Sequence, residues 1–217
     1  MLERLKRALL IALCIAMLAP VQHGYAVTSK QKALDAYNRL LSASTIYILP
    51  KGTGHKSYTA GGTRKYLGTK ASNVRFSLAY IDGDNTPELV LCDNEYRFAI
   101  FTYRNGQLVR LYYDTWWNVA VQYYKNRCLF VTRRVPNLGI SAVKYNCKVS
   151  GRYTTRFAVY RYRNGPKHCA EFSPGKKGKS ITIQNLRTRL AAYIGGVRPS
   201  KITYRINTKL NRGRYLK

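Results

Sequence analysis

The chain has 217 residues, enough for one domain with a core of its own. Its 38 Lys and Arg against 9 Asp and Glu give a formal charge of +29, and 46% hydrophobic with 12% aromatic residues exclude a disordered basic tail. No apolar run reaches the roughly 18–20 residues that cross a bilayer as a helix, and the charge predicts anionic surroundings rather than a reaction.

Arg4, Lys6 and Arg7 precede the apolar stretch Ala8 to Ala19, and Gly24 and Ala26 stand at the −3 and −1 positions of a cleavage site. Residues 1–26 are therefore expected to be a secretory signal peptide, and residues 27–217 one secreted β-rich domain, free or loosely associated with the cell surface. Cleavage would remove Cys14 and leave Cys92, Cys128, Cys147 and Cys169. Four cysteines in an exported chain predict two disulfides, with three connectivities open. Cys128 and Cys147 on neighbouring strands that turn near Asn137 would fall almost opposite each other, which favours 128–147 with 92–169. Free thiols are the alternative.

Thr28-x-x-Gln31 reads as a capping box. Ala33, Leu34, Tyr37, Leu40 and Leu41 then share one helical face, predicting a helix over Ser29–Ser42. Thr45 to Leu49 reads as a short strand ended by Pro50, and Lys51 to Ser72 as an exposed basic loop. From Asn73 the pattern is short β runs between turn signals. Asn105-Gly106 and Asn164-Gly165 predict hairpin turns with positive φ. Trp117 to Tyr124 alternates as a half-buried strand, and Cys128 to Thr132 forms the next. Ile181 and Ile183 predict a strand. Leu186, Leu190 and Ile194 predict a helix stopped by Gly195-Gly196, and Ile202, Tyr204 and Ile206 a last strand. About ten strands with a helix near each end predict an α+β, mainly antiparallel β fold. Phe98-Ala-Ile-Phe-Thr-Tyr-Arg-Asn-Gly106 and Phe157-Ala-Val-Tyr-Arg-Tyr-Arg-Asn-Gly165 match at six of nine positions. This repeated hairpin suggests a curved sheet or a partial blade-like array.

The acids are segregated. Asp82, Asp84, Glu88, Asp93 and Glu95 lie between Ile81 and Glu95, a window without Lys or Arg. Convergent carboxylates without a competing ammonium suit a hard cation; an acidic turn held by surrounding Arg is the other reading. Tyr80-Ile-Asp82-Gly-Asp84-Asn-Thr86-Pro-Glu88-Leu resembles the D-x-D-G-D-G-x-x-D/E calcium loop of FG-GAP and VCBS-type β repeats. The resemblance covers about Phe76 to Leu108. It implies side-chain oxygens from Asp82 and Asp84, a backbone carbonyl from Thr86 and a closing carboxylate from Glu88. Tyr80 stands where the first Asp belongs and Asn85 replaces the second Gly, so calcium binding is expected to be weak.

His55 and His168 belong to no catalytic motif, and no residue is assigned a catalytic role. The stronger signal is basic. Arg152, Arg156, Arg161, Arg163 and Lys167 interleave with aromatics on one expected hairpin, where guanidinium forks suit phosphate, sulfate or carboxylate and tyrosine rings stack on bases or sugars. These features predict a monomeric, non-catalytic domain that binds anionic polymers at the cell envelope, such as teichoic acid, acidic glycan or extracellular nucleic acid. The alternative is a metal-assisted hydrolase of such polymers, a nuclease or a glycosidase acting through the acidic window.

Overall fold

A computed structural model describes residues 28–56, 63–94, 97–114, 118–134, 140–162, 165–173 and 176–217. The expected signal peptide, Glu95, Trp117, the turn at Asn137, Arg163 and Asn164 lie outside the described residues.

Helix α1 occupies Ser29–Ser42, the predicted span. The Thr28 hydroxyl accepts from the Gln31 N–H (3.2 Å), a cap worth about 1 kcal/mol. The Gln31 side chain donates forward to Asp35 (3.1 Å), so only half of the reciprocal box forms. Four short strands follow: β1 (Thr45–Ile46), β2 (Gly54–Lys56), β3 (Thr63–Lys65) and β4 (Thr69–Lys70). β1 pairs with β4 and β2 with β3. The segment expected to be an exposed loop is therefore partly structured, and Tyr66 explains why. Its ring is buried, and its hydroxyl donates to the Ile46 carbonyl (3.1 Å) while accepting from the Ile48 N–H (3.0 Å). Of the strand expected over Thr45 to Leu49, only Thr45–Ile46 forms.

The main body begins with β5 (Val74–Ala79), β6 (Glu88–Asp93), β7 (Phe98–Arg104) and β8 (Gln107–Asp114). It continues with β9 (Asn118–Tyr124), β10 (Leu129–Arg134), β11 (Ile140–Val149), β12 (Arg152–Tyr162), β13 (Lys167–Glu171) and β14 (Lys179–Ile181). Helix α2 (Ile183–Ile194), β15 (Ser200–Lys201), β16 (Arg205–Ile206) and helix α3 (Lys209–Tyr215) complete it. One sheet has the order β16-β5-β6-β7-β8, the other β14-β13-β12-β11-β10-β9-β15, and both are antiparallel throughout. The fold is α+β and mainly antiparallel β.

The elements form four layers. α1 lays Leu34, Tyr37 and Leu41 on Phe76, Leu89, Leu91 and Phe101 of the five-stranded sheet. The opposite face of that sheet, with Val90, Phe98 and Ile100, meets Ala120, Phe130 and Tyr153 of the seven-stranded sheet. α2 covers the far side, where Leu186 and Leu190 pack on Leu129, Cys147, Phe157 and Cys169. Asn105 and Gly106 take φ of 50° and 78°, the hairpin geometry their sequence predicts. Ser150 and Gly151 (48° and 79°) form an equivalent turn between β11 and β12. α2 stops at Gly195, whose φ of 55° and N–H to the Ala191 carbonyl (2.9 Å) make a left-handed cap.

Three features depart from expectation. Ile183 opens α2 instead of ending a strand, because the Thr182 hydroxyl accepts from the Asn185 N–H (3.1 Å) and starts the helix there. The last strand is split: Lys201 pairs with Gln122 of one sheet and Arg205 with Phe76 of the other, so the chain crosses between sheets in the intervening residues. The basic tail contains a third helix, α3, where the Arg205 guanidinium stacks 3.7 Å from the Tyr215 ring centroid. Among the described residues no helix is long and apolar enough to cross a membrane.

Candidate functional site

The acidic loop joins β5 to β6 and is docked on the opposite sheet. The Asn126 N–H donates to the Tyr80 carbonyl (3.1 Å) and the Cys128 N–H to the Ile81 carbonyl (2.8 Å). Asn85 takes φ of 62°, a conformation asparagine tolerates better than most side chains. The Thr86 N–H donates to Asp84 Oδ1 (3.0 Å), and the Ile81 N–H to Glu88 Oε2 (2.9 Å). These bonds close the turn from within. Asp82, Thr86 and Glu88 are buried; Asp84 is exposed.

Two cations converge on Asp82. Lys148 Nζ, from β11, lies 2.5 Å from Oδ2, and an Arg104 terminal nitrogen, from the end of β7, lies 2.8 Å from the same atom. Arg104 also stands 3.7 Å from Asp84. The loop thus ties the two sheets together through charge. Asp82 Oδ1 and Glu88 Oε1 are buried with no donor in reach, and so is the hydroxyl of Tyr153. Burial first, and the Asp82 charge second, raise the Glu88 carboxyl to about 8. Burial alone would raise Asp82 too, but hydrogen bonds with Lys148, Glu88 and Asp84 bring it below its ordinary value. The two shifts run in opposite directions, so a shared proton favours Glu88 over Asp82, where it supplies the donor that two carboxylates lack. Burial and then the nearby Glu88 charge raise the Tyr153 hydroxyl as well.

The donor set is half suited to a cation. With Glu88 ionised, two buried oxygens lack a donor and with the exposed Asp84 favour one, while Lys148 and Arg104 already neutralise Asp82 Oδ2. Calcium takes about six to eight oxygens, so backbone carbonyls and water would have to complete its shell. Among the described residues no group of three His, Cys, Asp or Glu side chains is placed to hold a metal ion. Asp93, also in the acidic window, is committed elsewhere: it pairs with Arg97 Nε at 2.6 Å and accepts from the Thr69 hydroxyl (2.9 Å).

The basic residues fall into different settings. Arg152 is exposed at the start of β12, lining a hollow of about 360 Å³ with Arg110 and Tyr113. Arg156 is held by Glu171 (3.1 Å) and by the Phe172 carbonyl (2.8 Å), so its charge supports the β12–β13 pair. Arg161 and Lys167 are exposed and directly opposite in the ladder. The structure brings these two together and leaves Arg152 at the other end of the strand.

Among the described residues Cys92, Cys128, Cys147 and Cys169 lie unpaired, with no two at disulfide distance, where two disulfides were expected. Cys92 packs in the inter-sheet core and Cys169 beneath α2, which sets the 92–169 pair in separate cores. Leu129, not Cys128, is opposite Cys147, and Cys128 packs toward the inter-sheet core while Cys147 packs beneath α2.

Lys148 and Arg104 escaped the sequence reading. Arg104 sits immediately before the Asn105-Gly106 turn, a local cue; Lys148 is 66 positions from Asp82 and has none. Scanning against family models and searching curated proteins and solved structures gave no match for the chain.

Proposed function

We propose that the chain is an exported, non-catalytic domain that binds anionic polymers at the cell envelope, with the Asp82–Glu88 loop as a weak calcium site. The observation that carries this reading is the partition of charge. Among the described residues, ion pairs engage Arg97, Arg104, Lys144, Lys148, Arg156 and Arg189, a minority of the Lys and Arg side chains there. Arg152, Arg161 and Lys167 are exposed and make no ion pair to a described carboxylate. Unneutralised surface cations repel one another, a cost that binding to a polyanion relieves.

Export rests on the Arg4-to-Ala26 segment. The calcium proposal rests on the resemblance of the loop and on the two orphaned oxygens, Asp82 Oδ1 and Glu88 Oε1. Asp82, Asp84, the Thr86 carbonyl and Glu88 would hold the ion, whose charge would favour ionised Glu88. The repeated strands β7 and β12 each lie between two antiparallel neighbours and run into a hairpin, which supports reading the repeat as a blade-like unit within each sheet.

Retention on a heparin column tests the binding reading. The native protein should bind at about 50 mM salt and elute at higher salt, and the triple variant Arg152→Glu, Arg161→Glu, Lys167→Glu should elute markedly earlier. Flow-through of the native protein at low salt would refute polymer binding; unchanged elution of the variant would refute these residues as its carriers.

A further inference from the structure

Between α2 and the outer face of the seven-stranded sheet lies a hollow of about 400 Å³. The antiparallel ladder arranges its sheet wall in rungs. Ser141, Arg161 and Lys167 lie side by side across β11, β12 and β13. One rung further in, about 7 Å along the strands, Val143, Val159 and Cys169 are aligned, and beyond them Tyr145 and Phe157. A cationic rung thus borders an apolar one.

The helix repeats the pattern. Leu186 and Leu190 close the apolar end, and Arg187 brings a third cation. Cover is incomplete at this end: Val143, Tyr145 and Val159 are only half-buried, whereas Leu129, Cys147, Phe157 and Cys169 on the same face are buried. Among the described residues no carboxylate lines the hollow. Glu171, the acid on β13, is already held by Arg156 and Arg189. The Arg161 Nε donates to the Gly165 carbonyl (3.2 Å), which orients the guanidinium and leaves its terminal nitrogens for another partner.

We propose that this hollow binds a single-chain amphiphile with an anionic head, an alkyl phosphate or alkyl carboxylate. Its head lies among Arg161, Lys167 and Arg187, and its chain along Val143 and Val159 beneath Leu186 and Leu190. A purely ionic polymer has no use for the apolar rung, and a neutral lipid has none for three unpaired cations. Pockets of this size and mixed lining suit small ligands. Its head group shares Arg161 and Lys167 with the proposed polymer surface, whereas the apolar rung and Arg187 belong to this site alone.

Calorimetric titration with octyl phosphate, octyl glucoside and inorganic phosphate tests the assignment. Octyl phosphate should bind with one site per chain, and the other two should bind at least about tenfold more weakly, since each lacks one of the two contacts. Arg187→Glu, at an exposed position of the rim, should weaken octyl phosphate about tenfold or more while leaving the melting temperature unchanged. Val143→Phe should block the chain and leave heparin retention intact. Equal binding of octyl glucoside, or of inorganic phosphate, would overturn the proposal, as would wild-type affinity in the folded Arg187→Glu protein. Heparin retention without octyl phosphate binding would remove this proposal and leave the polymer reading standing.

Discussion

Lys148 of β11 reaches across the sheet interface to Asp82 of the β5–β6 loop, with its ammonium 2.5 Å from Oδ2 and the carboxylate almost wholly buried. The loop that the sequence marks as a cation site therefore carries a cation from its own chain. Truncating one partner of a buried ion pair typically costs about 3–5 kcal/mol, and Arg104 remains to soften the loss. Lys148→Met is expected to destabilise by about 2–3 kcal/mol in urea unfolding. Adding Asp82→Asn should recover part of that loss, because the buried charge is gone; strictly additive losses would contradict the coupling.

Glu88 sets a pH dependence with a definite sign. Its folded carboxyl is raised to about 8 from an ordinary 4.5, so between those values the folded state binds more protons than the unfolded one. Stability from this group is complete below about pH 4.5 and falls as pH rises toward and through about 8. Asp82, lowered, acts oppositely and only at acid pH. Melting temperature should decline from pH 5.5 to 8.5 in the native protein, and Glu88→Gln should flatten that decline. An identical slope in the two proteins would show that another group titrates.

Calcium is expected to bind in the range of extracellular modules, about 10⁻⁴ to 10⁻³ M. At millimolar calcium that affinity adds about 0.4–1.4 kcal/mol, a melting shift of a few degrees over chelator. The shift should grow as pH rises, since Glu88 must lose its proton to serve as a ligand. Asp84→Ala should abolish it, and coincident melts of the native protein with calcium and with chelator at pH 8.5 would leave the loop as a structural turn.

The thiols are protected by burial. Cys92, Cys147 and Cys169 are at most 6% exposed, and burial pushes the Cys92 and Cys147 thiols up to about 12, which keeps them out of the reactive thiolate form. Alkylation in denaturant without reductant should modify Cys92, Cys128, Cys147 and Cys169, whereas the native protein should react slowly. A mass four hydrogens lower with no alkylation would establish two bridges instead.

What was readable in the sequence was local. Thr28 and the apolar spacing of Leu34, Tyr37 and Leu41 define α1 over Ser29–Ser42, and Asn105-Gly106 specifies its hairpin because both residues accept positive φ. Glycines 195 and 196 stop α2 for the same reason. What escaped depends on distant partners. Tyr66 orders a polar segment by reaching Ile46 and Ile48, and Asn207 fixes the chain after β16 by donating to the Leu41 carbonyl (2.8 Å). Lys148 becomes part of the acidic site only when β11 is laid beside the β5–β6 loop. The acids of the window were visible, but their allegiance was not: Asp93 serves Arg97 and Thr69, away from Asp82.

The most direct measurement is the affinity for a labelled heparin oligosaccharide as a function of salt between about 50 and 200 mM. Charge-driven binding predicts a steep linear fall of log affinity with log salt, and a slope shallower by about one for each of Arg152, Arg161 and Lys167 reversed or removed. Absence of binding at the lowest salt, or an affinity independent of salt, would contradict the polyanion reading.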